Sequence, residues 1–177
     1  YKCRVFSAFT KGVDKGTPDS PVAAEPKQLK SFGAQLAEFD CGAWALDCTF
    51  TPDGQTLLFV GQDSSFNAVD LASGQVNTNR LDTLPLVKVL ALDNGRAVAA
   101  GYDCEPILFT GAGADWSKSK SLDEKKDTTQ KKVGVAKMWQ NMDKKGTKAG
   151  ATKLKTKHQN TITWISFTDG KVATSGL

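Results

Sequence analysis

Apolar and polar residues alternate along several short stretches of the chain, at the two-residue period of a half-buried strand. In CGAWALDCTF, Trp44, Leu46, Cys48 and Phe50 alternate with Ala45, Asp47 and Thr49. That spacing predicts a strand with its four large side chains turned to one covered face. Pro52-Asp53-Gly54 then predicts a tight turn, because proline presets the backbone angle φ and glycine tolerates positive values. A second strand is expected over 56–60, a turn at Gly61-Gln62-Asp63, and a third strand over 66–69.

The same order of signals returns in LVKVLALDNGRAVAAGYDCEPILFT, with turns at Asp93-Asn94-Gly95 and Gly101-Tyr102-Asp103 and a strand over 107–109. Gly61 and Asp63 recur forty residues later as Gly101 and Asp103. A third copy starts at HQNTITWISFTDGKVATSGL, where Ser175-Gly176-Leu177 overlays Val60-Gly61-Gln62. YKCRVFSAF reads as the last strand of a preceding unit. A repeat of about forty residues, each copy a small antiparallel sheet, is the spacing of WD40 propeller blades. The fold expected is therefore all-β, about half of a propeller ring. The copies lack the tryptophan-aspartate pair; their third strands end RVFSA, NAVDLA and ILFTGA.

In such blades the aspartate between the second and third strands ties down neighbouring backbone and accepts from a histidine ahead of the first strand. Asp63 and Asp103 take the aspartate position and His158, the chain's one histidine, takes the histidine position. Their repetition makes these residues structural rather than catalytic. The boundaries expected are a last strand at 1–10, an inter-blade insertion at 11–40, blades at 41–72 and 73–110, an insert at 111–157, and the start of a further blade at 158–177. Because the chain opens on Tyr1 and closes where the next turn aspartate is due, it reads as a fragment.

Charge separates the insert from the body. The net charge of +4 sums 23 basic and 19 acidic residues, and thirteen of the bases but only four of the acids fall within 116–157. A basic arm on a mildly acidic body favours an exposed segment with an anionic partner. Apolar runs are too short to span a bilayer as a helix. The four cysteines form no CxxC pair, so neither a metal site nor a cofactor is expected. Reduced thiols acting as small hydrophobes explain them most simply, with a disulfide as the alternative.

Within the insert, Val135, Met138, Trp139 and Met142 recur at i, i+3, i+4 and i+7, the apolar stripe of a short helix expected over about 135–145. Gly146 suits its end, and Lys144 and Lys145 suit the negative pole of its dipole. Gly134 costs about 1 kcal/mol against alanine inside a helix, which favours a start after it. So short a helix is marginal alone in water and needs a receiving surface. The pattern leaves two receivers open, the propeller's own flank or a partner.

YKCRVFSAF, TLPLVKVLAL, RAVAAGYDCEPILFT, MWQNMDKK and KHQNTITWISF together resemble the carboxy-terminal half of the WD-repeat subunit of the actin-related protein 2/3 complex. The resemblance spans nearly the whole chain and keeps the long insert before the last blade. It implies half of a seven-bladed ring in a non-catalytic subunit that supports nucleation of branched actin filaments. The implied partners are the other subunits, the actin filament, and acidic tails of nucleation-promoting factors, in the cytoplasm at the actin-rich cortex. Carried to this chain, it assigns Val133, Val135, Met138, Trp139, Met142, Lys144 and Lys145 to mother-filament contact. Competing readings are a WD40 adaptor in another assembly and nucleic-acid binding by the lysine tract. The second is disfavoured because the insert lacks arginine and offers only Trp116 and Trp139 for base stacking.

Overall fold

The computed structural model describes residues 1–16, 18–123, 154 and 156–177. Their strands are β1 (Lys2–Phe6), β2 (Gln35–Asp40), β3 (Ala45–Phe50), β4 (Thr56–Gly61), β5 (Ser65–Asp70) and β6 (Val76–Arg80). They continue as β7 (Leu86–Ala91), β8 (Arg96–Gly101), β9 (Ile107–Ala112), β10 (Asp115–Ser121), β11 (Ile162–Thr168) and β12 (Lys171–Gly176). One short helix, α1 (Pro26–Leu29), precedes β2. Every pairing between these strands is antiparallel.

The strands form two four-stranded sheets, β3-β4-β5-β6 and β7-β8-β9-β10, between two two-stranded sheets, β1-β2 and β11-β12. Each four-stranded sheet has its strands in chain order because short turns join neighbours. The first strands of successive sheets lie side by side, β3 against β7 and β7 against β11. The sheets therefore stack face to face around the line of their first strands, as propeller blades do.

The middle strands β4 and β8 are buried on both faces, their side chains alternating between the two neighbouring sheets. On β4, Leu57 and Phe59 pack towards the first sheet with Cys3, Val5 and Cys41, whereas Leu58 and Val60 pack towards the third. On β8, Ala97 and Ala99 join the second sheet's side chains, and Val98 and Ala100 meet Ile162 and Ile165 of the last sheet. The largest cluster joins Phe66, Phe109 and Trp116, the two phenylalanine rings being stacked with centroids 3.9 Å apart. Each fully buried side chain of this size contributes about 1.5–3 kcal/mol against exposure.

The structure departs from the sequence boundaries in three places. β2 lies inside 11–40 and pairs with β1, so that interval contributes a strand. β6 and β10 extend the two central sheets beyond the expected blade ends, and β10 falls in the stretch assigned to the insert. These outer strands escaped notice because their outward positions are polar, as in VNTNR and DWSKSKS. The expected covered stripe of β3 is also uncovered: Trp44 is 59% exposed, Leu46 38% and Phe50 47%, and Cys48 is exposed. Among the described residues its facing sheet holds only β1 and β2.

Candidate functional site

One end of the stacked sheets is marked by a hydrogen bond that recurs from sheet to sheet. The residue after each second strand donates its N–H to the carbonyl just ahead of the first strand: Gln62 to Trp44 at 2.9 Å, Tyr102 to Pro85 at 3.2 Å, and Leu177 to Thr161 at 3.2 Å. Gly61, Gly101 and Gly176 precede these donors. A Cβ on Gly101 would lie 2.2 Å from the Pro85 carbonyl oxygen, so only glycine admits this approach.

The three repeat-position residues all lie at this end. Asp63 accepts from Ser65 Oγ at 2.6 Å, Ser65 Oγ accepts from Asn67 Nδ2 at 3.0 Å, and Asn67 Oδ1 accepts from Thr78 Oγ1 at 2.7 Å. This chain ties the turn to β6. Asp103 accepts from the Leu84 N–H at 2.9 Å, holding the segment that leads into β7. His158 Nε2 lies 2.7 Å from Thr174 Oγ1 on β12. All three side chains are thus engaged with neighbouring chain, and Asp63 also has Arg80 at 3.6 Å.

The base of the insert opens at the same end. The Lys157 N–H donates to Asp123 Oδ2 at 2.8 Å, joining the segment that leaves β10 to the segment that approaches β11. Asp123 is itself fixed by its N–H to Ser121 Oγ at 3.0 Å, and Leu122 by its N–H to the Pro106 carbonyl at 2.8 Å. On the returning side, Gln159 Nε2 donates to the Thr156 carbonyl at 2.7 Å. The candidate helix over 135–145 and the residues Val133, Val135, Met138, Trp139, Met142, Lys144 and Lys145 lie outside the described residues.

A second feature was not singled out from the sequence. Each first strand carries a bulge near its start, between Ala45 and Asp47, between Leu86 and Lys88, and between Ile162 and Trp164. The residues just past the bulge, Asp47, Lys88 and Trp164, occupy equivalent places on adjacent strands and interact in a row. Lys88 Nζ donates to Asp47 Oδ1 at 3.0 Å, and the Val89 N–H donates to Asp47 Oδ2 at 2.9 Å. The same ammonium lies 5.3 Å from the centre of the Trp164 ring, a cation–π distance. Trp164 remains 58% exposed. The readable signal was a charged residue inside each of the apolar strings WALDCTF and LVKVLAL.

Among the described residues no group of three His, Cys, Asp or Glu side chains is placed to hold a metal ion. No described helix is long and apolar enough to cross a membrane. An open cleft of about 600 Å³ runs between the first and second sheets, lined by Val5, Phe6, Val22, Leu36, Phe50 and Leu71 among others. Its lining carries side chains of both sheets together with Asp14, Lys15 and Asp19 from the segment between β1 and α1.

Antiparallel four-stranded sheets, stacked with their first strands adjacent and tied by a recurring end contact, define a repeat protein of the WD40 propeller class. The relatives agree. The chain is 36% identical over 191 aligned residues to actin-related protein 2/3 complex subunit 1A-B of Xenopus laevis, covering all of this chain and 50% of that protein. It is 37% identical over 129 residues to subunit 1A of the same-named complex from Arabidopsis thaliana, covering 71% of this chain. It is 31% identical over 122 residues to subunit 1 from Saccharomyces cerevisiae, covering 68% of this chain. No protein-family model matches it. The chain belongs to the family of subunit 1 of the actin-related protein 2/3 complex and spans about half the length of the frog relatives it matches.

Proposed function

We propose that the chain is the scaffolding propeller portion of an actin-related protein 2/3 complex, holding neighbouring subunits and presenting its basic insert to actin. The kinship with subunit 1 across the whole chain carries this reading. The neck of the insert supports it: with Asp123 and Lys157 bonded to each other, the arm leaves and re-enters the body at one fixed point. A segment anchored in this way can reach a filament while the sheets stay bound to other subunits.

In this reading Val133, Val135, Met138, Trp139 and Met142 form the apolar contact with mother-filament actin, with Lys144 and Lys145 beside it. Acidic tails of nucleation-promoting factors are further partners, the role is non-catalytic, and the setting is the cytoplasmic actin cytoskeleton. Burying Trp139 and Met142 would contribute about 1.5–3 kcal/mol each. Ordering the arm offsets part of that. The contact is therefore weak alone and works through avidity with the rest of the assembly.

Two measurements test this. Affinity purification of the tagged full-length protein from its own cells should recover two actin-related proteins in stoichiometric amounts; a different stable assembly would overturn the reading. Trp139→Ala should reduce branch formation on pre-formed filaments several-fold with assembly intact. Undiminished branching, or loss of the complex, would remove the insert from the actin contact.

A further inference from the structure

We propose that Ser20 is a phosphorylation site for a proline-directed protein kinase, and that the phosphate releases the segment around it from the cleft between the first and second sheets. The inference is independent of the assembly role proposed above. It starts from the run Pro18-Asp19-Ser20-Pro21, a hydroxyl with proline directly after it and two places before it. Proline has no N–H to leave unsatisfied, so a kinase pocket without an acceptor at the position after the hydroxyl selects it. Proline also disfavours helical backbone in the residue ahead of it, which biases Ser20 to the extended form that a kinase cleft takes up.

The surroundings let that form be reached from the folded chain. Between the Lys11–Asp14 bridge and the Glu25 cap of α1, no described residue makes a backbone–backbone hydrogen bond. Ser20 Oγ donates to the Val22 carbonyl at 3.4 Å, long for a hydroxyl donor. Asp19 and Ala23 are exposed, Pro18, Ser20 and Pro21 are half-buried, and Val22 is the one buried side chain among the described residues of 15–24. A segment held by so few contacts opens at little cost while the sheets stay folded. Thr51-Pro52 carries the same pairing of hydroxyl and proline without this freedom. Thr51 is 2% exposed, and its hydroxyl donates to Asp53 Oδ1 at 2.6 Å within the turn.

The step balances with ATP, held by the kinase as its magnesium complex, as the phosphoryl donor. The Ser20 oxygen bonds to the γ-phosphorus while the bond from that phosphorus to the bridging oxygen breaks. The hydroxyl proton passes to a kinase carboxylate, and ADP leaves. The phosphoserine carries a charge of about −1.5 to −2. Ser20 lines the cleft together with Asp14 and Asp19, and Lys15 is the one cation among the described lining residues. The side chains of Val5, Val22 and Leu71, in the same lining, offer the phosphate no hydrogen-bond donor. Like-charge repulsion and loss of hydration therefore disfavour the seated segment once Ser20 is modified.

The test uses the full-length protein as purified from its own cells, with the subunits that accompany it. It is treated with phosphatase and then with a recombinant mitogen-activated protein kinase and ATP. Fragmentation of the tryptic peptide 16–27 should place the phosphate on Ser20. Ser20→Ala should abolish incorporation into that peptide, Pro21→Ala should reduce it several-fold, and Thr17→Ala should leave it unchanged. Phosphorylation should also speed trypsin cleavage after Lys15 in the folded protein several-fold, and Ser20→Ala should hold that cleavage at the unphosphorylated rate. Phosphate on Thr17 or Thr51 in place of Ser20, no incorporation into the peptide, or incorporation indifferent to Pro21→Ala would overturn the site. Unchanged cleavage after Lys15 would overturn the release.

Discussion

Replacing Asp47 by alanine should be the most informative single perturbation of the seam between the two central sheets. Asp47 accepts from both Lys88 Nζ and the Val89 N–H, at 3.0 and 2.9 Å, so its loss removes two bonds that cross from β3 to β7. Side-chain exposures of 27% for Lys88 and 17% for Asp47 place the pair between surface and interior. A hydrogen bond to a charged group contributes about 1.5–3 kcal/mol net. Water can still reach the Lys88 ammonium, so its bond takes a value below that range, whereas the Val89 N–H lies against β3 and takes the full value. The sum is about 2–4 kcal/mol for Asp47→Ala. Asp47→Asn keeps an acceptor for Val89 and should cost about half as much. Urea unfolding with an unchanged slope reads both values. The cycle Asp47→Ala, Lys88→Met and the double variant should return a coupling of about 1 kcal/mol. Equal losses for alanine and asparagine, or strictly additive Asp47 and Lys88 effects, would refute the row as a structural link.

Three further outcomes follow from the packing and the surface charges. Phe109→Ala should lower stability by about 3–5 kcal/mol in the same assay, because it removes a fully buried ring stacked on Phe66, while Phe109→Leu should cost much less. Gly101→Ala should be destabilising out of proportion to one methyl group, since the new Cβ would meet only backbone atoms, at 2.2–2.8 Å, whereas Gly54→Ala meets no steric contact and suffers only from its positive φ. Glu38 is held at about 2, below its ordinary 4.5, first by Lys2 and then by Arg4. A carboxylate with a lowered folded value stabilises above its unfolded value and loses that contribution as pH falls from about 4.5 through about 2. Acid titration of the unfolding midpoint should therefore be flatter in that window when Lys2 and Arg4 are both replaced by methionine.

The repeat was legible in the sequence because its signals are local. Turn residues such as Pro52-Asp53-Gly54 and Asp93-Asn94-Gly95, and the spacing from Gly61 to Gly101, need no knowledge of the neighbouring sheet. The outer strands were less legible. Val76–Arg80 and Asp115–Ser121 face solvent along one side, so polar residues satisfy them and their pattern merges with that of a loop. β2 was hidden for a different reason: its partner β1 lies 29 or more residues away across the interval read as an insertion, so only the pairing reveals it. The direction of the Trp44–Phe50 stripe failed because periodicity reports which residues share a face and not whether that face is covered. The candidate site divides along the same line. Asp63, Asp103 and His158 were placed by their repeat position, whereas the Asp47–Lys88–Trp164 row arises only when three strands from three sheets lie side by side.

That row and the insert neck together suggest why a propeller suits the proposed role. Sheets buried on both faces, such as those built on β4 and β8, resist bending because any tilt opens two apolar clusters at once. The connections at their ends are held by discrete polar bonds instead, at Asp63, Asp103 and the Asp123–Lys157 neck. A long insertion can then be accommodated at one connection without disturbing a sheet, because neither face of a sheet loses its neighbour. The cost of lengthening a connection rises only with the logarithm of its length. Lys118, Lys120 and Lys157 are exposed, clear of the apolar interfaces where their charge would be expensive to bury. Under the proposed role the sheets supply position and the insert supplies contact, so binding at the arm and packing of the body could change independently.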